Sequence, residues 1–383
     1  MTIIVTVGIL AALVVLTPLI TAGLGRHAGW LLGAAYLGAA LAFLPAVSEV
    51  VSGGTVEQTV RWAPSLDVAL AFSVDGIGVV FTLIALVIGA FVLFYSTAYL
   101  SPGPNLSFYW LMATFTFAMV VLVLTDDLFV LFIAWEITSL ASFMLIARSG
   151  TAAHPASLRT MFITFIGGLA LLVAIGFIVA RTGTTGIREA LTHEVWVTDP
   201  TFTTTIALLV AIAAMTKSAQ FPFHSWLPDA MAAATPVSAY LHAAAVVKAG
   251  IFLLIRFSPA FHSTPAWNAL LIVAGIITTA IGGWFALNQV DLKKLMAYST
   301  VSQLGLIVAA IGVGTELALG AAVLHVIAHA LFKSGLFMMV GVVDHIAHTR
   351  DLGKIPQLYR VSPVAFAVTI IGTASMAGIP PLL

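Results

Sequence analysis

The sequence predicts an all-α integral membrane protein, a polytopic helical bundle, and three observations predict it. Of the 383 residues, 61% are hydrophobic and 8% are charged, where soluble domains carry roughly 25% charged residues. Apolar runs follow one another along the chain, and about 20 apolar residues suffice for one helix to cross a bilayer. Open sheet is excluded from lipid because its backbone polar groups would stay unpaired, so the runs read as helices.

Composition also removes function classes. Fifteen basic and fifteen acidic residues cancel to a formal charge of zero, which leaves no basic face for nucleic acid. Cysteine is absent, and with it thiol catalysis, disulfides and cysteine-ligated zinc or iron–sulfur clusters on this chain. No cofactor or metal site is expected.

The first run, Thr2 to Gly23, has no basic lead-in and exceeds the core of a signal peptide, so it reads as a retained first span. Spans are expected near 3–24, 28–47, 72–99, 107–125, 127–147, 157–180, 203–226, 235–257, 267–288, 294–314 and 316–343, with a twelfth starting near 362. The connections 48–71 and 181–202 hold Gly, Pro, Thr and most exposed acids, and read as solvent-facing loops. Arg26, Arg148, Arg159, Lys293, Lys294, Arg350, Lys354 and Arg360 follow odd-numbered spans, while Arg61, Arg181, Arg188 and Arg256 follow even-numbered ones. That bias places the N-terminus outside. Ile379-Pro380-Pro381-Leu382-Leu383 is apolar and carries no polar anchor, which reads as a piece of a longer protein cut within its twelfth helix.

The informative residues are the charges inside spans. An ionisable group at mid-membrane costs at least about 2.5–3.5 kcal/mol, so such groups face cavities, pair and carry transport. The fifth span holds Glu136 and the seventh holds Lys217. Pro222 removes a backbone donor and is expected to break the seventh helix near mid-span, about one turn past Lys217. Transporters place ion sites at such breaks. His224 shares a face with Lys217 if the helical course resumes. The eighth span opens on Thr235-Pro236 and carries His242 and Lys248 on different faces. The eleventh places His325, His329 and Lys333 four residues apart, one polar stripe that suits a proton relay. The alternative for any one of these is a packing or partner-helix contact.

Other residues are weaker. Asp126 and Asp127 sit at a helix end, as an entry funnel or as a plain solvated loop. Asp75 reads as an N-terminal cap. Lys293 and Lys294 read as interfacial anchors, one of which could snorkel into the ion route.

Trp135-Glu136, Lys217 through Pro228 and His329-Ala330-Leu331-Phe332-Lys333 resemble the antiporter-like subunits shared by Mrp-type cation/proton antiporters and respiratory complex I. Trp135-Glu136-Ile137-Thr138-Ser139 and Val343-Asp344-His345 through Thr349-Arg350-Asp351 are most similar to the A-type branch of the Mrp subunits. The resemblance implies three N-terminal helices over 1–106, a five-helix repeat over 107–257 (helices 4–8, with a broken seventh), and an inverted second repeat over 258–383 (helices 9–12, incomplete). It further implies that Glu136 pairs with Lys217, that Lys248 passes the proton on, and that His325, His329 and Lys333 continue the axis.

The implied function is exchange of Na⁺, with K⁺ or Li⁺ as further candidates, for H⁺ in a multi-pass subunit of a bacterial plasma membrane, alongside other Mrp-type membrane subunits. It is transport rather than enzyme chemistry. Separating the Glu136–Lys217 pair would leave a lone buried ammonium, and burial favours its neutral form. At an effective dielectric near 20, a pair at about 4 Å interacts by roughly 4 kcal/mol, enough to move a proton between neighbouring amines. The rivals are a proton-pumping membrane subunit of an NADH:quinone or related oxidoreductase, and a scaffold that keeps its charges as interhelical pairs. An intramembrane hydrolase lacks support, since neither Gly-x-Ser-x-Gly nor His-Glu-x-x-His occurs.

Overall fold

A computed structural model of the chain describes residues 2–63, 68–103 and 105–382. Helices α1 (Thr2–Leu24) and α2 (Ala28–Val51) are joined by a single tight turn, Gly25–His27. The remaining long helices are α3 (Gly76–Tyr99), α4 (Leu106–Leu124), α5 (Leu128–Ala147), α6 (His154–Thr182), α7 (Pro200–Lys217), α8 (Thr235–Phe261), α9 (Pro265–Leu287), α10 (Leu292–Val313) and α11 (Glu316–Ala347), followed by the shorter α12 (Pro363–Met376). The polytopic helical fold is therefore the one expected. The most apolar stretch of α8 is buried throughout, which makes α8 the central helix, whereas α6 and α9 show much of their length to the outside.

The connection 48–71 is corrected. Strands β1 (Val56–Ala63) and β2 (Val68–Val74) pair antiparallel, with Val56 opposite Val74 and Val60 opposite Leu70, while residues 64–67 lie outside the described residues. The third span accordingly begins at Gly76 rather than 72, after Asp75. The hairpin docks on the corner between α4 and α5, where Asp126 N–H donates to the Ala71 carbonyl (2.9 Å). Arg188 pins it further, meeting Glu57 at 2.6 Å and Asp126 at 3.2 Å. The connection 181–202 is corrected likewise, since it holds two short helical segments, Ile187–Leu191 and Val195–Thr198.

Asp75 caps α3 as expected, accepting from Gly78 N–H at 2.9 Å, and also accepts from both terminal nitrogens of Arg256 on α8, at 2.5 and 3.1 Å. Burial raises this carboxyl's pKa, but the Arg256 hydrogen bonds and charge together with Gly78 N–H outweigh it and hold Asp75 below its ordinary range. A depressed folded pKa gives stability that is present above the unfolded value, about 3.9, and is lost as pH falls through the lower folded value. Thermal unfolding of the detergent-solubilised protein is expected to show a step of lost stability on acidification below about pH 4. Asp75→Asn should remove that step, and an unchanged profile would refute the clamp.

The seventh helix breaks earlier than the proline suggests. Its last helical residue is Lys217; Ala219 then takes a left-handed φ of 51°, and Gln220 N–H closes on the Met215 carbonyl at 2.9 Å. The short helical turns Phe223–Ser225, Trp226–Asp229 and Ala230–Ala232 follow before α8. A second interruption lies in α8, where Thr235–Leu241 and Val246–Phe261 are separated by His242 to Ala245, with Ala245 at φ −129° and ψ −82°. No proline or glycine marks that break.

Candidate ion-translocation site

Lys217, Lys248 and Lys333 are all completely buried, at 0% exposure, and none faces lipid. Because Lys217 terminates α7, its side chain leaves the helix and crosses to α5. There Nζ donates to the Trp135 carbonyl (2.6 Å), the Thr138 hydroxyl (2.6 Å) and the Ser139 hydroxyl (3.0 Å), and it lies 4.1 Å from the centroid of the Trp135 ring. An ammonium has three protons to donate, so this cradle satisfies it completely with neutral dipoles and a ring face.

The expected Glu136–Lys217 ion pair is thereby corrected. Glu136 takes part in none of the ion pairs found among the described residues. Its Oε1 is buried without a protein partner and rests on Gly168 of α6, where a Cβ would overlap it. The physical reason is that the cradle already takes the three ammonium protons on the Trp135 carbonyl and the Thr138 and Ser139 hydroxyls, so that Glu136 stands near the Lys217 charge without touching it. Gly168→Ala is expected to displace the carboxylate, since the added Cβ would overlap Oε1, and to destabilise the detergent-solubilised protein by about 1–3 kcal/mol, the scale of overpacking; an unchanged thermal unfolding midpoint would show that the seat is not tight.

Helices α7 and α8 meet backbone to backbone at Gly250, whose missing side chain would stand 2.8 Å from Ser218 N. This close approach brings the Lys217 end of α7 beside the Lys248 turn of α8. Lys248 Nζ then meets His329 Nδ1 of α11 at 2.9 Å. One turn further along α11, Lys333 Nζ donates to the Ser299 hydroxyl of α10 at 2.5 Å and lies 3.4 Å from the Met296 carbonyl. One turn back, His325 Nε2 bonds Gln303 Oε1 of α10 at 2.6 Å. The stripe read from sequence is present, and each member takes a different partner.

His242 sits in the α8 break, wholly buried between the Trp226 and Phe337 rings, with neither ring nitrogen bonded to protein among the described residues. His224 does not share a face with Lys217, because no helix resumes between them; it is half-buried and stacks on Phe221. Lys293 is buried at 2% exposure and donates to the Ala233 carbonyl, whereas Lys294 is exposed. Asp127 is the cap of α5, accepting from Phe129 and Val130 N–H at 2.9 Å each, and Asp126 accepts from Arg188. Both acids have structural partners in place of an open funnel.

Thr138, Ser139, Ser299 and Gln303 were missed as partners, as was Gly168 as a seat. Their signal in the sequence was polarity, or absence of a side chain, within otherwise apolar spans.

A family model described as "NADH:quinone oxidoreductase/Mrp antiporter, TM" matches residues 125–383. The chain belongs to this family. A second model, described as "NADH-Ubiquinone oxidoreductase (complex I), chain 5 N-terminus", matches residues 62–110. Among relatives of this antiporter-family chain, the A-type subunit of the Na⁺/H⁺ antiporter of Alkalihalophilus pseudofirmus is 42% identical over 374 residues, covering 93% of this chain and 46% of the relative. The A1-type subunit of the Na⁺/H⁺ antiporter of Staphylococcus aureus is 38% identical over 371 residues, covering 93% and 46%. A chain of the Mrp complex from a Dietzia species superposes with a TM-score of 0.95 at 50% identity, over 100% of this chain and 42% of that one. The membrane-bound sulfane sulfur reductase, an archaeal respiratory complex, shares the fold with a TM-score of 0.89 at 23% identity, over 99% of this chain and 78% of that one. The chain spans about half the length of the curated relatives it matches.

Proposed function

We propose that this chain is the ion-translocating part of an A-type subunit within an antiporter built of several membrane subunits, exchanging Na⁺ for H⁺ at the expense of the proton-motive force. The observation that carries the reading is a series of three buried bonded sets on neighbouring helices: the Lys217 cradle on α5, the Lys248–His329 contact between α8 and α11, and the Lys333–Ser299 contact one turn further along α11. Relatives named as Na⁺/H⁺ antiporter subunits, at 38% and 42% identity, support it over the oxidoreductase alternative, which rests on the descriptions of the two family models and on a fold shared at 23% identity.

In this reading Glu136 is a second proton acceptor beside the Lys217 cradle. Proton arrival at its unpartnered Oε1 changes the field at Lys217, which then releases its proton toward Lys248 and His329. The orphaned nitrogens of His242 and His329 take water partners along the way. One charge crossing about 100 mV carries roughly 2.3 kcal/mol, comparable with the cost of separating such groups.

Two local likenesses support division into repeats 107–257 and 258–383. Asp127 caps α5 beside a bridge formed by Leu128 N to Thr185 O and Ile187 N to Asp126 O. Asp291 caps α10 beside one formed by Leu292 N to Arg350 O and Leu352 N to Val290 O. Both α7 and α12 end two residues before a left-handed residue, Ala219 and Gly378, and close with Gln220 N to Met215 O and Ile379 N to Ala374 O. The bias of Lys and Arg toward connections after odd-numbered spans supports an N-terminus outside, and relatives from Alkalihalophilus and Staphylococcus support a bacterial plasma membrane.

The test is Glu136→Ala in the full-length subunit within its complex. Na⁺-dependent ΔpH across vesicles is expected to vanish while the complex still assembles; full exchange in this variant would reject the assignment. Redox partners in the purified complex, or NADH-driven pumping, would favour the oxidoreductase reading instead.

A further inference from the structure

A cavity of about 850 Å³ opens between α1, α4 and α5, at the end of the bundle where α4 begins and α5 stops. Its walls include Pro18, Leu106, Trp110, Leu111 and Met144. Leu106, Trp110 and Met144 are exposed on membrane-spanning helices, so their apolar faces look toward lipid. Arg148, the residue after α5, stands in the same cavity.

The guanidinium is pre-oriented by neutral groups. Nε donates to the Ser107 hydroxyl (2.8 Å) and Nη2 to the Asn105 side-chain oxygen (3.1 Å), and the group lies 5.5 Å from the Phe108 ring centroid. Arg159, Arg181, Arg188, Arg256 and Arg350 each have a carboxylate within 4.0 Å, but Arg148 has none among the described residues. Burial pulls its pKa below the ordinary arginine value, so this pocket disfavours the charge that it holds. The start of α4, with the positive end of its dipole, lies against the same cavity.

An uncompensated guanidinium fixed at the water boundary, above an apolar trough with an interfacial Trp, complements a group that is anionic at one end and aliphatic at the other. Arg matches phosphate oxygens bidentately, and Trp favours the headgroup level. A free anion would leave the trough unused, and an apolar helix would leave Arg148 unpaired. We propose that this cavity holds one anionic phospholipid, with its phosphate on Arg148 and Ser107 and an acyl chain along Leu106, Trp110 and Met144.

Native mass spectrometry of the full complex tests this, after delipidation and addition of phosphatidylglycerol, with phosphatidylcholine and inorganic phosphate as comparison probes. One phosphatidylglycerol per copy of the chain is expected to be retained in preference to phosphatidylcholine. Arg148→Gln should abolish that retention, and Met144→Trp, which fills the trough and keeps the charge, should weaken it about tenfold. If R148Q does not assemble, Met144→Trp alone decides. Equal retention in the variants, equal retention of phosphatidylcholine, full displacement by inorganic phosphate, or another subunit seated over the cavity would each overturn the proposal. None of these readouts depends on antiport, so the lipid site and the transport reading fail separately.

Discussion

Lys217→Ala is expected to reduce Na⁺-driven proton exchange in vesicles to the level of vesicles without protein. The change removes the ammonium held between Trp135, Thr138 and Ser139, whose acceptor atoms are positioned for it at 2.6, 2.6 and 3.0 Å. Each bond to a charged donor contributes about 1.5–3 kcal/mol, so the cradle fixes one position for the proton carrier. Lys217→Arg should fail as well, because a planar guanidinium does not match three converging acceptors around a tetrahedral nitrogen. Thr138→Val combined with Ser139→Ala should give an intermediate loss, since the Trp135 carbonyl and ring remain. Exchange near wild type in Lys217→Ala, with normal assembly, would remove this residue from the mechanism.

The second large effect is expected at the α8–α11 contact. Lys248 and His329 are both wholly buried and meet at 2.9 Å, so at this contact each is the other's protein partner. Lys248→Ala and His329→Ala should each abolish exchange. The double variant should be no worse than either single one, because groups that act as a unit are not additive. The measurement is the same vesicle assay, with yield of the assembled complex as control. A scaffold would behave differently, losing yield in both variants while the surviving complexes exchange normally.

Much of the fold was legible because the bilayer imposes a simple rule on sequence. A run of apolar residues long enough to span has to be a helix, and α1 to α11 fall where those runs do. The hairpin was missed although Val56-Glu57-Gln58-Thr59-Val60 and Val68-Ala69-Leu70-Ala71-Phe72 carry strand-forming residues. Its Gly, Pro and charged neighbours gave a stronger loop signal than its short alternation gave a strand signal. The two helix breaks divide in the same way. Pro222 announced the interruption of α7 but not its start at Lys217, which depends on the left-handed Ala219. The break at His242 to Ala245 has no local mark, since it is set by the packing of α8 inside the bundle.

Residue order alone establishes that the chain spans the membrane many times and that Lys217, Lys248 and Lys333 lie within it, because ionisable groups are too costly in lipid to occur there without partners; the burial of Lys293 came only with the fold. Who those partners are follows only from the folded bundle. Lys217 goes to Trp135, Thr138 and Ser139 and not to Glu136; Lys248 goes to His329, and Lys333 to Ser299. Helical spacing fixes which residues share a face of one helix. The contacts across helices depend on where a helix stops and how closely backbones approach, as at Lys217, Gly168 and Gly250, and those are properties of the packed bundle.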